Sequence, residues 1–223
     1  MKKIADFFKN RKYALVVLYW PIHALWYELL RVLYPDDSSV LIIECAWDKV
    51  IPFCEWFVIP YYSWYLCIAC MLGYTLYKHK REFFRSSFLI VGCMFLSMVF
   101  CTLCPNGIDI AMRPDFETLG RENIATRLVQ LIYAADTPAR CVMPSMHVAV
   151  SFAMLFAVLR SKIMLRRLIY RVLAAVWCVA ISLSTVFIKQ HSILDVFAGI
   201  GTAVLVLVIL LISERFYDKK KMI

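Results

Sequence analysis

Apolar residues in this chain run in long blocks, and polar residues crowd into the gaps between them. A helix needs about 20 mostly apolar residues to cross a bilayer. Six blocks come near that length: 13–32, 57–77, 86–104, 144–159, 172–188 and 192–213. The second and third carry no charge. The first is interrupted by Pro21 and His23, the fourth is short and opens on Ser145 and His147, and the sixth carries Asp195 in its first turn. The pattern predicts an all-α polytopic membrane protein: a bundle of six transmembrane helices forming one integral membrane domain over residues 1–223. Between the third and fourth blocks, Ile124, Leu128, Leu131 and Ile132 recur at helical spacing, which predicts an interfacial helix near 121–135.

Composition agrees with the pattern. Of the 223 residues, 62% are hydrophobic and 18% charged, whereas soluble domains run at roughly 45–50% apolar. The net charge of +9 does not imply nucleic acid, since no basic stripe alternates with exposed aromatics. It does imply an orientation. Eighteen of the 25 Lys and Arg residues fall in 1–12, 78–85, 160–171 and the C-terminal tail. Cytoplasmic segments hold the excess of positive charge, so both termini are expected in the cytoplasm of a multi-pass cell-membrane protein. The basic N-terminus and the apolar run behind it have the order of a signal peptide. The run is long, contains Trp20 and Trp26 and has no small-residue cleavage site, so it is read as a retained span.

There are nine cysteines. The pairs Cys67/Cys70 and Cys101/Cys104 lie in apolar helix and are read as packing residues. Cys45, Cys54 and Cys141 fall in the non-cytoplasmic loops 34–55 and 105–143, where oxidation is open and pairing is not readable.

Ionisable residues at span ends carry a free-energy cost and tend to be functional. His191 and Asp195 are four apart, which places them on one helix face. A carboxylate there can hold one ring nitrogen and leave the other free to attack; the pair also fits a polar helix cap. Pro144 and Ser145 suit a helix start whose first amides face an anion, with His147 one turn in; a simple cap plus an interfacial histidine fits equally. Arg113-Pro114 lies in a polar loop and says little alone.

Taken in order, Arg113-Pro114, then Pro144-Ser145-Met146-His147, then Ser184-x6-His191-x3-Asp195, these residues resemble the type 2 phosphatidic acid phosphatase (PAP2) superfamily. Its usual motifs are Lys-x6-Arg-Pro, Pro-Ser-Gly-His and Ser-Arg-x5-His-x3-Asp. The motifs cover 106–195, and the span layout covers the rest. The resemblance implies a lipid-phosphate phosphatase acting on a phosphomonoester or pyrophosphate of a phospholipid or isoprenoid. Its site would lie at the non-cytoplasmic face, and neither metal nor other cofactor is implied. His191 would be the nucleophile that forms a phosphohistidine, Asp195 would orient it, and His147 would be the general acid. Arg113, Ser145 and the amides around Met146 would hold the phosphoryl oxygens, with Ser184 completing the motif. Three positions depart from the pattern. Asn106 stands at the lysine, Met146 at the glycine and Thr185 at the arginine. Lys189 and Arg140 are nearby cations that could substitute; the alternatives are snorkelling for Lys189 and a solvated loop charge for Arg140. The segment around His191 also resembles the inositol-phosphorylceramide and sphingomyelin synthase branch, which keeps a phosphotransferase open. A non-enzymatic six-span transporter or scaffold and a thiol oxidoreductase are the readings outside that chemistry.

Overall fold

The structure is a computed structural model that describes residues 12–161 and 167–221. Of the basic residues expected in the cytoplasm, Lys2, Lys3, Lys9, Arg11, Lys162 and Arg166 lie outside the described residues.

A 3-10 segment, Lys12–Leu18, leads into α1 (Tyr19–Leu33). The first long loop contains β1 (Leu41–Ile42) and α2 (Ala46–Val50). A 3-10 turn, Glu55–Phe57, then opens α3 (Val58–Lys78), and α4 (Lys80–Leu103) follows after His79 alone. The second long loop holds β2 (Asn106–Gly107), α5 (Phe116–Leu119) and α6 (Ile124–Ala135). The remaining helices are α7 (Met146–Arg160), α8 (Leu168–Phe187) and α9 (Ile193–Lys221).

α7 stands at the centre and packs against α4, α8 and α9. Ala149, Ala153 and Ala157 recur one turn apart on it, and all are buried. Small side chains at that spacing let neighbouring helices approach closely. Phe83, Leu89, Ile90 and Met94 of α4, Ile181 of α8 and Val206 of α9 close around them. The outward faces are apolar too: Leu25, Leu66, Leu103, Val176, Phe197 and Leu205 are all exposed. Such a surface needs an apolar solvent.

Among the described residues, four helices are long and apolar enough to cross a membrane: Glu55–Tyr77, Lys80–Leu103, Leu168–Phe187 and Ile193–Tyr217. The other two expected segments give shorter helices. Block 13–32 divides into a 3-10 segment and the 15-residue α1. Block 144–159 yields the 15-residue α7, which starts late because Ser145 caps it by accepting from Val148 N. α9 runs past the expected end at 213. Glu214 there accepts from Arg85 at 2.6 Å and Arg160 at 2.7 Å, joining the ends of α4, α7 and α9.

The expected interfacial helix is α6, started by Asn123, whose side chain accepts from Ala125 N and Thr126 N. Its expected apolar face is divided, however. Ala125, Val129, Ile132 and Tyr133 pack on Val58, Tyr61 and Ile188, while Ile124 and Leu131 stay exposed. The helix is apolar on more than one side, and the core takes only one of them. All nine cysteines are free, Cys45, Cys54 and Cys141 included.

The two long loops are tied to each other. β1 pairs in parallel with β2, Leu41 opposite Asn106 and Ile42 opposite Gly107, and Arg140 forms an antiparallel bridge to Gly107. A Cβ on Gly107 would lie 2.5 Å from Ala139 O, so only glycine allows this approach.

Candidate active site

Two short breaks in the helical framework build the site. The first joins α8 to α9. Thr185 O accepts from both Gln190 N (2.9 Å) and His191 N (3.1 Å), folding the chain back. Lys189 takes a positive φ of 53° in that turn, unusual for a side chain with a Cβ. Asp48 of α2 secures the turn from outside. Its carboxylate accepts from Ser192 Oγ at 2.7 Å and Ile193 N at 2.9 Å, capping α9. Lys189 Nζ donates to the carbonyls of Asp48 and Ile51. Burial lowers the pKa of Lys189, against the pull of Asp48.

His191 is thereby fixed over the first turn of α9. Its Nδ1 lies 3.2 Å from Asp195 Oδ2, an oxygen that also accepts from Ser192 N at 2.9 Å. Asp195 is fully buried. In the neutral ring, Nδ1–H donating to this carboxylate leaves the lone pair on Nε2.

The second break precedes α7. Asn106 Oδ1 accepts from Met143 N at 2.8 Å, and Nδ2 donates to Met143 O at 2.9 Å and Cys104 O at 2.9 Å. Cys101 Sγ donates to Met143 O as well. The residue in place of the family lysine is thus a buried splint for the segment entering Pro144-Ser145. Ser145 N donates to Asp195 O at 3.2 Å, so the two breaks touch. Gly199 permits this, since a Cβ there would come within 2.7 Å of Ser145 O. His147 stands in the first turn of α7. Its ring stacks on Tyr61 at 4.2 Å and leans on Trp64 at 4.4 Å. The His147 and His191 ring centroids are 6.1 Å apart. His147 Nε2 is buried and has no hydrogen-bond partner.

Both histidines line a cavity of about 540 Å³ together with Gln190, Asp136 and an aromatic wall that includes Tyr27, Tyr61 and Tyr65. Arg113 reaches this region indirectly. Its fork donates to Asp136 Oδ2 at 3.1 Å and to Asp136 O at 3.2 Å, and its guanidinium lies 4.4 Å over the Tyr133 ring. Burial pushes the Asp136 carboxyl above its ordinary value, while Tyr27, Arg113 and His191 pull it back.

The structure therefore brings His191, Asp195, His147 and Ser145 together, with Arg113 one residue removed. The remaining candidates are committed to structural partners, although Arg140 also lines the cavity. Arg140 donates to Tyr34 O and Pro35 O and pairs with Asp37 at 2.8 Å. Lys189 is committed to two loop carbonyls. Ser184 is fully buried and its hydroxyl donates to Ile181 O one turn back. Sequence reasoning missed Asp136, Tyr27 and Gln190 as cavity residues and saw Asp48 only as one acid in an acidic loop. Gln190 is an unspecified position within Ser184-x6-His191 and the others lie outside the motifs; the available signals were an acid just after a helix and a tyrosine inside a predicted span.

Residues 86–217, more than half of the chain, match the model of the PAP2 superfamily. The chain belongs to the PAP2 superfamily, the family its motifs resemble. Membership supports a membrane-associated enzyme of phosphatase or phosphotransferase type. No curated protein and no solved structure matches the chain.

Proposed function

We propose that the protein hydrolyses a phosphate ester of a membrane lipid, a phospholipid or an isoprenoid, through a phosphohistidine on His191. The observation that carries this reading is the His191–Asp195 contact of 3.2 Å with His147 across the same cavity. Three groups are then available in their required roles: a nucleophile, the group that orients it and a proton carrier.

In the first step His191 Nε2 attacks phosphorus, the N–P bond forms and the P–O bond to the leaving group breaks. His147 gives its proton to the departing oxygen. In the second step water attacks phosphorus, His147 takes a proton from it, and the N–P bond breaks. Ser145 and the free amides in the first turn of α7 hold phosphoryl oxygens at the positive end of the helix dipole. Arg113 holds Asp136 in place at the cavity wall, and Lys189, Arg140 and Ser184 brace the loops and helix that shape the site. In this reading the chain crosses the cell membrane six times, with α1 and α7 as its short spans and both termini cytoplasmic. The cavity opens on the non-cytoplasmic side. The Lys and Arg distribution supports that orientation.

Transfer to a lipid or polyol hydroxyl is the second reading. The cavity, at about 540 Å³, has room for more than a phosphoryl group beside His191. The test is product release from a panel of lipid monoesters, pyrophosphates and diesters, with His191→Ala as control. Free phosphate or a free phospho-headgroup supports hydrolysis; its appearance only on a second lipid supports transfer. Undiminished turnover in His191→Ala sinks both.

A further inference from the structure

Every fixed cation near the cavity already has a matching anion or a set of carbonyls, among the described residues. Arg140 is paired with Asp37. Lys189 is held by Asp48 O and Ile51 O. Arg31 brackets Asp136 by donating to Ala135 O and Thr137 O, and its charge is met by Glu28 at 2.7 Å. Arg113 is met by Asp136 at 3.1 Å. Arg140 lines the cavity with its charge met by Asp37, and Asp136 lines it where Arg113 does not. The carboxylate therefore stands between the guanidinium and any ligand in the cavity. Its second oxygen accepts from Tyr27 OH. The groups that face it are Tyr27 and Arg31 from α1, Tyr61 and Tyr65 from α3, Arg113 before α5, and His191.

A phosphomonoester carries about −1.5 to −2 charges at neutral pH, whereas a diester carries a single charge at any ordinary pH. A cavity whose neighbouring guanidiniums, Arg113, Arg140 and Arg31, are each already met by a carboxylate suits the second and repels the first, because like charges in a low-dielectric pocket are costly. Resting on the phosphohistidine reading above, we propose that Asp136 sets substrate charge: the site takes a singly charged phosphodiester lipid in preference to a phosphomonoester. The headgroup lies against the tyrosines of the cavity wall. His191 Nε2 bonds to phosphorus, the P–O bond to the diacylglycerol breaks, and His147 protonates the diacylglycerol oxygen. Water then adds to phosphorus, the N–P bond breaks, and the phospho-headgroup leaves as a proton returns to His147.

Phosphatidic acid, phosphatidylglycerol and phosphatidylcholine would all yield diacylglycerol, so one product reads both classes. With the full chain in mixed micelles at about pH 8, kcat/KM for a diester is expected to exceed that for phosphatidic acid by about tenfold or more. Phosphatidic acid turnover should climb as pH falls toward about 6, where its phosphate becomes a monoanion; diester turnover should show no matching rise. Asp136→Asn should raise the monoester-to-diester ratio by about tenfold or more, about 1.4 kcal/mol. If that variant does not fold, the wild-type ratio and pH profile decide alone. Phosphatidic acid turned over as fast as the diesters at the higher pH overturns the charge proposal and leaves the phosphohistidine reading standing. Diacylglycerol release that survives His191→Ala, or none from any of the lipids, overturns both.

Discussion

Asn106 holds Met143 by both edges of its amide, Oδ1 to the backbone N at 2.8 Å and Nδ2 to the backbone O at 2.9 Å. One side chain thus does the work of a short strand pairing, two residues before the cap of α7. The site gives up a cation at this position and gains a fixed entry to the helix that carries His147. Asn106→Ala would take partners from Met143 N and Cys104 O in a part-buried place and leave Met143 O with Cys101 Sγ alone. Each such group costs about 1–3 kcal/mol. A clear fall in the detergent melting temperature is expected, and Asn106→Lys should fall as well, for lack of an acceptor to meet Met143 N. An unchanged melting temperature in both would remove the splint role.

Asp195 touches His191 Nδ1 at 3.2 Å and Ser192 N at 2.9 Å through the same oxygen. Asp195→Asn keeps an acceptor for Ser192 N but loses the charge that holds the ring. On the phosphohistidine reading kcat should drop by about 10²-fold or more with the protein still folded by gel filtration. A drop in KM affinity with kcat intact would give Asp195 a different job.

Vanadate adopts the five-coordinate geometry of phosphoryl transfer. Competitive inhibition is expected, and it should disappear in His191→Ala when binding is followed by calorimetry. An active enzyme indifferent to vanadate would count against an in-line displacement.

Lys189 and Arg140 have their donors committed to loop carbonyls. Lys189→Met and Arg140→Met should therefore act on stability, by about 1–3 kcal/mol each, and shift KM for lipid by no more than about threefold. A tenfold rise in KM at an unchanged melting temperature would return either residue to substrate contact.

Asp136 titrates above its usual value because burial disfavours its charge. A carboxyl with a raised folded pKa contributes stability fully below the unfolded value of 3.8 and loses it as pH rises through the folded value. The stability of wild type relative to Asp136→Asn should therefore decline on going from acid toward neutral pH across that window. Melting temperatures of the two proteins over a pH series check this; a gap that widens toward neutral pH contradicts it.

Much of the site was legible in the sequence because its nucleophile and orienting acid are local. His191 and Asp195 are one helical turn apart, so spacing alone puts them in contact. Ser145 and His147 sit at a helix start that Pro144 announces. The apolar blocks were legible for a similar reason, since a bilayer-spanning helix must be written in consecutive residues. Two of the six blocks formed only 15-residue helices: the fourth was already short by sequence, while the first is shortened by a change from 3-10 to α geometry that hydropathy does not register.

Charge pairing was not legible. Lys189 and Asp48 are 141 residues apart, Arg140 and Pro35 are 105 apart, and Tyr27 and Asp136 are 109 apart. By sequence, Lys189 and Arg140 were nearby cations that could substitute for the missing ones, and Asp136 was not singled out. Sequence by itself determined the helical, membrane-suited framework and the order of the two histidines, because both follow from patterns within one or two turns. Only the tertiary structure decided which cations remain for a ligand. That depends on which carboxylates and carbonyls the folded loops bring within about 3 Å, and no spacing rule carries that information.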